Sequence, residues 1–380
     1  MEYRDFGTVI DFEPSALGFG AMRLPTEGDD DTIDRQRAIE MIRTAIDEGV
    51  NYVDTAWPYH GGESERVVGE ALTDGYREEV SLATKMPSWK LETNDDLEEY
   101  FQRQLDRLDT DHVDCYLLHA LNRDFWDTYQ GLDTFEWLQQ KQAEGKIGHV
   151  GFSFHDDPDL FEEIVDAYDW DFCQIQYNYL DQEFQAGRAG LEYAAERGLG
   201  VIVMEPLRGG TLATDLPEPV REAFEQASSD RSPVEWALQW LWDQPEVSTV
   251  LSGMSALDQV RENAALAAQS GVEQFSDDDQ RTVERARERF EELMGVDCTG
   301  CDYCTPCPTG VEIPRNFDLY NRLEMGDDPE AVLGEYDDMD EQARADACVA
   351  CGECEPACPQ NLEIISLLEE THTQLDAARA

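Results

Sequence analysis

An α/β fold, closed as a (β/α)8 barrel of the TIM type and followed by a small, mostly helical module, is predicted by three observations. Eight short apolar runs alternate with amphipathic stretches between residues 16 and 268. Near-continuous apolar strands separated by helices belong to a parallel sheet covered on both faces. Eight such units in about 250 residues suit a closed barrel, and no G-x-G-x-x-G opens a helix, as an open doubly wound sheet would more often show.

The strand expectations, in order, are 16–22 (ALGFGAM), 51–56 (NYVDTA), 80–86 (VSLATKM), 113–119 (VDCYLLH), 147–153 (IGHVGFS), 172–178 (FCQIQYN), 200–206 (GVIVMEP) and 248–253 (STVLSG). Each is apolar and short enough for one pass through a barrel wall. The amphipathic stretches between them predict helices over 33–48, 63–73, 94–108, 131–144, 158–168, 187–197, 233–242 and 256–268. The leading 3–10 segment, with Gly7 inside it, is expected to form a hairpin closing the barrel floor. Beyond the barrel, 276–295 (with RTVERARERFEEL) reads as a charged helix, and 313–323 and 338–347 as further helices. The domain division is residues 1–290 for the barrel and 291–380 for the module.

The charge is extreme: 84 Asp and Glu against 28 Lys and Arg, a formal net of −56. Only four lysines are present, Lys85, Lys90, Lys141 and Lys146. Such a surface repels nucleic acid and anionic lipid. No basic-plus-apolar leader and no apolar run of membrane-spanning length is present, so a cytoplasmic protein with no membrane partner is expected. The acids are spread over helix faces in a chain that is 41% hydrophobic, which argues for a folded protein adapted to molar salt, where the screening length shrinks to about 3 Å. The expected outcome is activity and stability in concentrated KCl; full activity in dilute buffer counts against the adaptation.

Eight of the ten cysteines fall in two runs, Cys298, Cys301, Cys304 and Cys307, then Cys348, Cys351, Cys354 and Cys358. The second run is C-x2-C-x2-C-x3-C-P, a spacing that gives three thiolates to one [4Fe–4S] cube and the fourth to a neighbouring cube. Eight thiolates suit two cubes. Structural zinc more often uses two separated C-x2-C pairs, and regular dense spacing fits disulfides poorly. The first run has two residues before its last cysteine, which leaves Cys307 and the exchange of fourth ligands between cubes as the open part of the assignment. Cys115 and Cys173, inside strands, read as small buried hydrophobes.

Barrel enzymes carry their chemistry at the C-terminal ends of the strands. At those ends stand Asp54, Lys85 and His119, with Tyr59 in the loop after Asp54. A tyrosine hydroxyl is a weak acid at neutral pH; a neighbouring ammonium favours its ionised form, an aspartate keeps that ammonium charged, and a histidine can orient a carbonyl. His60, beside Tyr59, is expected to line the site. Phe125, Trp126, Trp57 and Trp89, on loops following strand ends, are candidates for pocket walls or for packing.

LGFGAMRLP, NYVDTAWPYHGGESERVVGEAL, LATKM, DCYLLHAL, IGHVGFSFH, QIQYNYLD, MEPLRGG and VLSGMSALDQVREN occur in order along the barrel, with CTGCDYCTPCPTGVEIP and CGECEPACPQNLEI beyond. In these stretches the chain resembles the aldo/keto reductase superfamily, in particular its branch with a C-terminal ferredoxin-like domain. The resemblance implies Tyr59 as general acid/base, Lys85 and Asp54 as its tuning pair, and His119 as the group that positions substrate. It implies a nicotinamide dinucleotide, NADP or NAD, with Ser153 and Gln174 at the carboxamide. The 207–210 loop (Leu207, Arg208, Gly209) and Ser252, Gly253 and Met254 would meet the phosphates, and Gln259, Glu262 and Asn263 the adenine end. There are three departures from the family pattern. Met204 stands where many relatives stack an aromatic ring on the nicotinamide, Gly253 and Gln259 where NADP-preferring relatives place cations, and Phe154 where asparagine is frequent. His155 either supplies the polar contact that Phe154 lacks or caps the helix starting near residue 158.

These features favour an oxidoreductase that interconverts a small aldehyde or ketone and its alcohol, with two [4Fe–4S] clusters exchanging electrons with a redox partner protein. The alternatives are a carbonyl reductase whose clusters are only structural or redox- or iron-sensing, and a non-enzymatic electron carrier that docks a partner. The intact Asp54, Tyr59, Lys85 and His119 set speaks against the last.

Overall fold

The computed structural model describes residues 1–28, 32–214 and 216–379. Its strands are β1 (Leu17–Gly20), β2 (Tyr52–Asp54), β3 (Ser81–Met86), β4 (Val113–Leu121), β5 (Ile147–Phe154), β6 (Phe172–Gln176), β7 (Gly200–Met204) and β8 (Val247–Ser252). They form one closed barrel in chain order, and β1 pairs in parallel with β8. Every residue of β3 is buried, Lys85 included. That is the pattern of a strand enclosed on both faces.

The helices are α1 (Arg35–Asp47), α2 (Ser64–Ala71), α3 (Asn94–Leu108), α4 (Arg123–Gly131), α5 (Thr134–Ala143), α6 (Pro158–Ala167), α7 (Gly187–Glu196), α8 (Glu218–Glu225), α9 (Pro233–Trp242), α10 (Leu257–Ala267), α11 (Asp277–Leu293), α12 (Ile313–Glu324), α13 (Pro329–Asp338) and α14 (Ile364–Ala377). Local chemistry sets their starts. Thr93 and Asp96 close a reciprocal capping box on α3, Ser276 and Asp279 do the same on α11, and Asp157 caps α6, which carries Pro158 in its first turn. Each cap satisfies backbone N–H groups that no helix can bond internally.

Two expectations are corrected. Segment 3–10 is not a paired hairpin: it makes one antiparallel bridge, Tyr3 to Ser15, and closes the floor with side chains. Phe6 and Ile10 join Tyr52, Ala83, Cys115, Leu117, Phe172, Ile202 and Leu251 in one buried cluster. Gly7 sits at φ +69, where a Cβ would come within 2.5 Å of the Gly198 carbonyl oxygen, so the chain approaches β7 more closely than any side chain permits. The helix expected over 338–347 is instead α13 ending at Asp338, followed by two short 3-10 turns, Glu341–Ala343 and Ala345–Ala347. Pro329 fits a first helical turn, and the Asp328 side chain caps it by accepting from Glu330.

By packing, the chain divides into one unit of Met1–Pro206 with Leu238–Gln274, and another of Leu207–Ala237 with Phe275–Ala380. The first holds the whole barrel. In the second, Phe224 of α8 stacks on Trp236 of α9 with centroids 5.6 Å apart, and Arg231, between those two helices, bonds Asp279 of α11 at 2.8 Å. Residue 290, the boundary drawn from sequence, is a fully buried phenylalanine of α11. Further along, Val296, Val311, Ile313, Phe317, Tyr320, Ala345, Ile364 and Leu368 form a compact core around which most of the clustered cysteines lie. Among the described residues no helix is long and apolar enough to cross a membrane.

Phe6 is the largest side chain from the leading segment in the floor cluster. Phe6→Ala is expected to cost about 3–5 kcal/mol through lost burial and a residual cavity, read as a lowered denaturation midpoint in high salt.

Candidate active site

The barrel brings the four expected side chains together at one rim. Asp54 is the last residue of β2, Lys85 lies in β3 and His119 in β4, while Tyr59 opens a 3-10 turn, Tyr59–Gly62. The Lys85 Nζ donates to Asp54 Oδ1 at 2.5 Å, to the Thr55 carbonyl at 3.0 Å and to the Tyr59 hydroxyl at 3.4 Å. Lys85 is wholly buried, Asp54 2% exposed, His119 3% and Tyr59 8%. The ammonium therefore meets its partners with almost no water between them.

Burial pulls the Lys85 ammonium below the ordinary lysine value, and the Asp54 carboxylate draws it back up. Asp54 is the mirror case: burial raises it and Lys85 opposes. The short contact makes the ion pair the state that suits both. Among the described residues Asp54 Oδ2 has no hydrogen-bond partner. His119 is pushed well below the usual histidine range by burial, then by the positive charge of Lys85 and by His155, so its imidazole is neutral at pH 7. Its ring stands edge-on to Tyr59 at 6.1 Å and against Trp89 at 5.3 Å. A hydroxyl beside an ammonium and a neutral imidazole at one rim can polarise a carbonyl and exchange a proton with its oxygen.

The remaining expectations fall into distinct places. Ser153 and Gln174 are register partners on β5 and β6. Ser153 Oγ accepts from the Ala120 N–H at 2.7 Å. Gln174 donates to the Met204 sulfur at 3.3 Å, and its buried Oε1 has no partner, which leaves an acceptor for an amide. Ser252 accepts from Asn263 at 3.2 Å, and Met254 is buried. A Cβ on Gly253 would lie 3.2 Å from the Arg23 side chain. Gln259 Oε1 takes the Ser255 and Ala256 N–H groups at 2.9 and 3.2 Å, so it caps α10, and Glu262 points to solvent. Leu207, Arg208 and Gly209 belong to the second unit, where the buried Arg208 bonds Asp297 at 2.9 Å and the Met294 sulfur.

Several secondary readings are resolved. His60 Nε2 accepts the Leu24 N–H at 3.1 Å and ties the Tyr59 turn to the loop after β1. Asp157, not His155, caps α6; His155 Nδ1 lies 3.2 Å from Gln185 Oε1. Trp89 stands beside His119, and Phe125 lies against Trp89 with centroids 6.5 Å apart. Trp126 is fully buried, its indole N–H on Glu163 at 2.9 Å, and Trp57 lies beneath Arg107, so both are packing. Burial raises the Cys115 and Cys173 thiols, which keeps them unreactive. Two residues behind the site escaped the sequence reading, Glu65 and Arg107, paired at 2.9 Å; a glutamate in an otherwise apolar helix face (ESERVVGEAL) is the only signal.

In the second unit, Cys298, Cys301, Cys304 and Cys358 line one small cavity with Ile313, Phe317, Leu362 and Ile364. Burial pushes the Cys298 thiol up to about 11 and raises Cys304 further. Cys307 is separate from that cavity; its sulfur lies 3.4 Å from the Thr309 hydroxyl. Cys351 is exposed, as is Val349 beside it. Among the described residues no three His, Cys, Asp or Glu groups converge as a single-ion site requires.

A closed parallel barrel with an ammonium, a carboxylate, a phenol and a neutral imidazole at one rim defines a class of carbonyl-active oxidoreductases. The Aldo/keto reductase family model matches residues 16–288 and a 4Fe-4S dicluster domain matches 297–363: the chain belongs to the aldo/keto reductase family. It is 30% identical over 293 residues to an uncharacterized oxidoreductase, YqkF, of Bacillus subtilis, covering 70% of this chain and 91% of that one. It is 27% identical to the NADH-specific methylglyoxal reductase of Escherichia coli, over 70% and 93% of the two chains. Among solved structures, the holo form of aldo-keto reductase AKR11C1 from Bacillus halodurans superposes with a TM-score of 0.64 at 28% identity, covering 75% of this chain and 96% of that one.

The neutral histidines predict a pH dependence of stability. Burial lowers His155 to about 4 and His119 well below its usual value, while in the unfolded chain both titrate near 6.5. Between those values the unfolded state binds more protons, so stability is complete above about pH 6.5 and is lost as pH falls, by up to about 1.4 kcal/mol per unit for each histidine. Urea midpoints measured from pH 7.5 down to 5 should fall, and His155→Asn should flatten the slope.

Proposed function

We propose that this oxidoreductase reduces a small aldehyde or ketone with a nicotinamide dinucleotide, and that its C-terminal residues hold two [4Fe–4S] clusters that exchange electrons with a partner protein. The observation that carries the first part is the buried Lys85 ammonium, 2.5 Å from Asp54 and 3.4 Å from the Tyr59 hydroxyl. A bound nicotinamide supplies the hydride. Tyr59 gives the carbonyl oxygen its proton. Lys85 eases that transfer by stabilising the phenolate left behind, and Asp54 holds the lysine charged. His119, neutral, orients the carbonyl through a ring N–H, and Trp89 and Phe125 supply an apolar wall. Ser153 and the unpartnered Gln174 Oε1 suit the donor and acceptor groups of a carboxamide.

Gly253, the capping Gln259 and the exposed Glu262 offer no cation for a 2′-phosphate, which favours NAD over NADP. Arg208, held by Asp297, remains the candidate phosphate contact of its loop. The cavity that gathers Cys298, Cys301 and Cys304 with Cys358 supports a cube whose fourth thiolate comes from the second run. Cys348, Cys351 and Cys354 with Cys307 would then hold the other. Exposure of Cys351 and Val349 suits exchange with a partner. Residue 290 is retained as the functional boundary, and a cytoplasmic, high-salt setting as the milieu.

A hydride carries two electrons and each cube takes one, so two cubes match one hydride in number, and passing the electrons on would require a two-to-one-electron converter such as a flavin, supplied by a partner. Tyr59→Phe is expected to lower carbonyl reduction by about 10²-fold or more with nucleotide binding retained; full turnover would sink the assignment. Anaerobic addition of NADH together with a flavin mediator should bleach the visible absorbance and raise a reduced-cluster EPR signal. Clusters that stay oxidised in the presence of nucleotide and carbonyl would assign them a structural or sensing role instead.

A further inference from the structure

Behind the tetrad lies a buried charge pair that the chemistry above does not use. Glu65 is in the first turn of α2 and wholly buried. Its Oε1 accepts from the Thr84 hydroxyl at 2.7 Å and from Gln104 Nε2 at 2.8 Å, and its Oε2 accepts from Arg107 Nη1 at 2.9 Å. Gln104 also donates to the Lys85 carbonyl oxygen at 2.9 Å and is held from its other end by the Tyr116 hydroxyl at 2.7 Å. The carboxylate is therefore fastened to the lysine's strand at two points: the side chain of Thr84 and, through Gln104, the carbonyl of Lys85 itself.

Arg107 carries this frame to the tyrosine. The same Nη1 donates to the Trp57 carbonyl at 3.3 Å, and the guanidinium carbon lies 3.5 Å from the centre of the Trp57 ring. At the other end of the turn, a Cβ on Gly62 would be 3.0 Å from Arg107 Nη2. Between these two contacts the backbone is unusual: His60, Gly61 and Gly62 lie at φ 51, 62 and 94. A run of left-handed residues persists where its surroundings hold it. Arg107 touches the turn on both sides of Tyr59, and His60 pins it to Leu24.

We propose that Arg107, clamped by the buried Glu65 carboxylate, is a positioning residue that sets the Tyr59 hydroxyl against Lys85, so that acid and ammonium are held in one frame. The inference rests on the carbonyl-reductase reading of the tetrad. The pair has a second consequence for Lys85. Burial lowers the lysine's proton affinity, and Asp54 and then Glu65 restore part of it. A buried ion pair contributes little net stability over an apolar replacement, so the effect of this one is expected in geometry and proton affinity.

Glu65→Gln tests it. The amide oxygen still accepts from Thr84 and Gln104, while the amide N–H groups face Arg107 and release it. For the folded variant, kcat for carbonyl reduction is expected to fall roughly 10- to 100-fold, as for a misplacement on the order of 1 Å, with KM for the carbonyl unchanged. The alkaline limb of the kcat profile should move about half a pH unit or more to lower pH, because an anion favouring the ammonium is gone. Arg107→Lys keeps the charge but cannot bond Glu65 and the Trp57 carbonyl together; it should lower kcat without moving that limb, and it decides the matter if Glu65→Gln does not fold. Tyr59→Phe is measured alongside. An inactive Tyr59→Phe with parental kcat and pH profile in both other variants overturns the positioning role alone, as does a parallel loss of folded fraction, kcat and substrate affinity at every pH. An active Tyr59→Phe overturns the catalytic reading and the positioning role with it.

Discussion

The barrel rim depends on one interaction, an ammonium without water. Lys85 points from an apolar strand into a space where, among the described residues, its Nζ bonds Asp54, the Thr55 carbonyl and the Tyr59 hydroxyl. Removing such a charge from water costs several kcal/mol, which the carboxylate offsets only at close range and with the remaining protons bonded. Every surrounding feature serves that condition. β2 and β3 pair so that Val53 faces Leu82 and Asp54 faces Ala83, bringing the carboxylate beside the lysine's strand. The Tyr59 turn lays the hydroxyl over the third proton. Glu65, Gln104 and Arg107 fix the two backbones behind it. The strength of the pair comes from the exclusion of solvent, and so does the leverage it has on the phenol.

The second unit obeys a different constraint, the gathering of thiols from distant runs. Three cysteines at x2 spacing wrap one side of a cavity, and the fourth wall is supplied from Cys358 beyond the intervening helices. The apolar side chains between them, Ile313, Phe317, Leu362 and Ile364, come from the starts of α12 and α14 and from the turn before α14. Those helices therefore set the cavity's walls as well as the fold. Deprotonation of buried thiols is opposed by the low dielectric, and ligation supplies the compensating charge; folding and cluster assembly in this region are expected to be coupled for that reason.

The order and type of the barrel elements were legible because a parallel sheet covered on both faces leaves an unambiguous trace: apolar runs, evenly spaced, each followed by an amphipathic stretch. Lys85 was legible for a related reason, being one of four lysines and the one inside such a run. What the sequence did not disclose depended on where side chains turn. His60 and Trp57 flank Tyr59, yet one bonds backbone and the other packs on Arg107; nothing in their spacing separates those fates from lining the site. The joining of α11 and the residues just before it to the segment from Arg231 into α9, far apart in the chain, rests on Arg231 with Asp279 and on Trp236 with Phe275, partners that no spacing in the sequence pairs. The helix expected over 338–347 failed because acidic content and alanine favour a helix as a composition, while the Asp-Pro start at 328–329 fixes where it begins.

Salt acts on this protein from outside and leaves the site largely alone. The chain carries 84 acids and 28 basic residues, and most of its arginines already sit in ion pairs on exposed helix faces, such as Arg35 with Glu63 and Glu70 or Arg322 with Asp327 and Glu335. Pairs of that kind contribute little each, so the surplus of surface carboxylates repels itself and is relieved only by screening. The Lys85–Asp54 and Arg107–Glu65 pairs are different, because each has at least one wholly or almost wholly buried partner and screening falls away where ions cannot enter. Screening therefore acts on the surface repulsion, while the electrostatics around Tyr59 stay those of a dry interior. A protein built this way can carry an extreme surface without altering the proton affinities its chemistry needs.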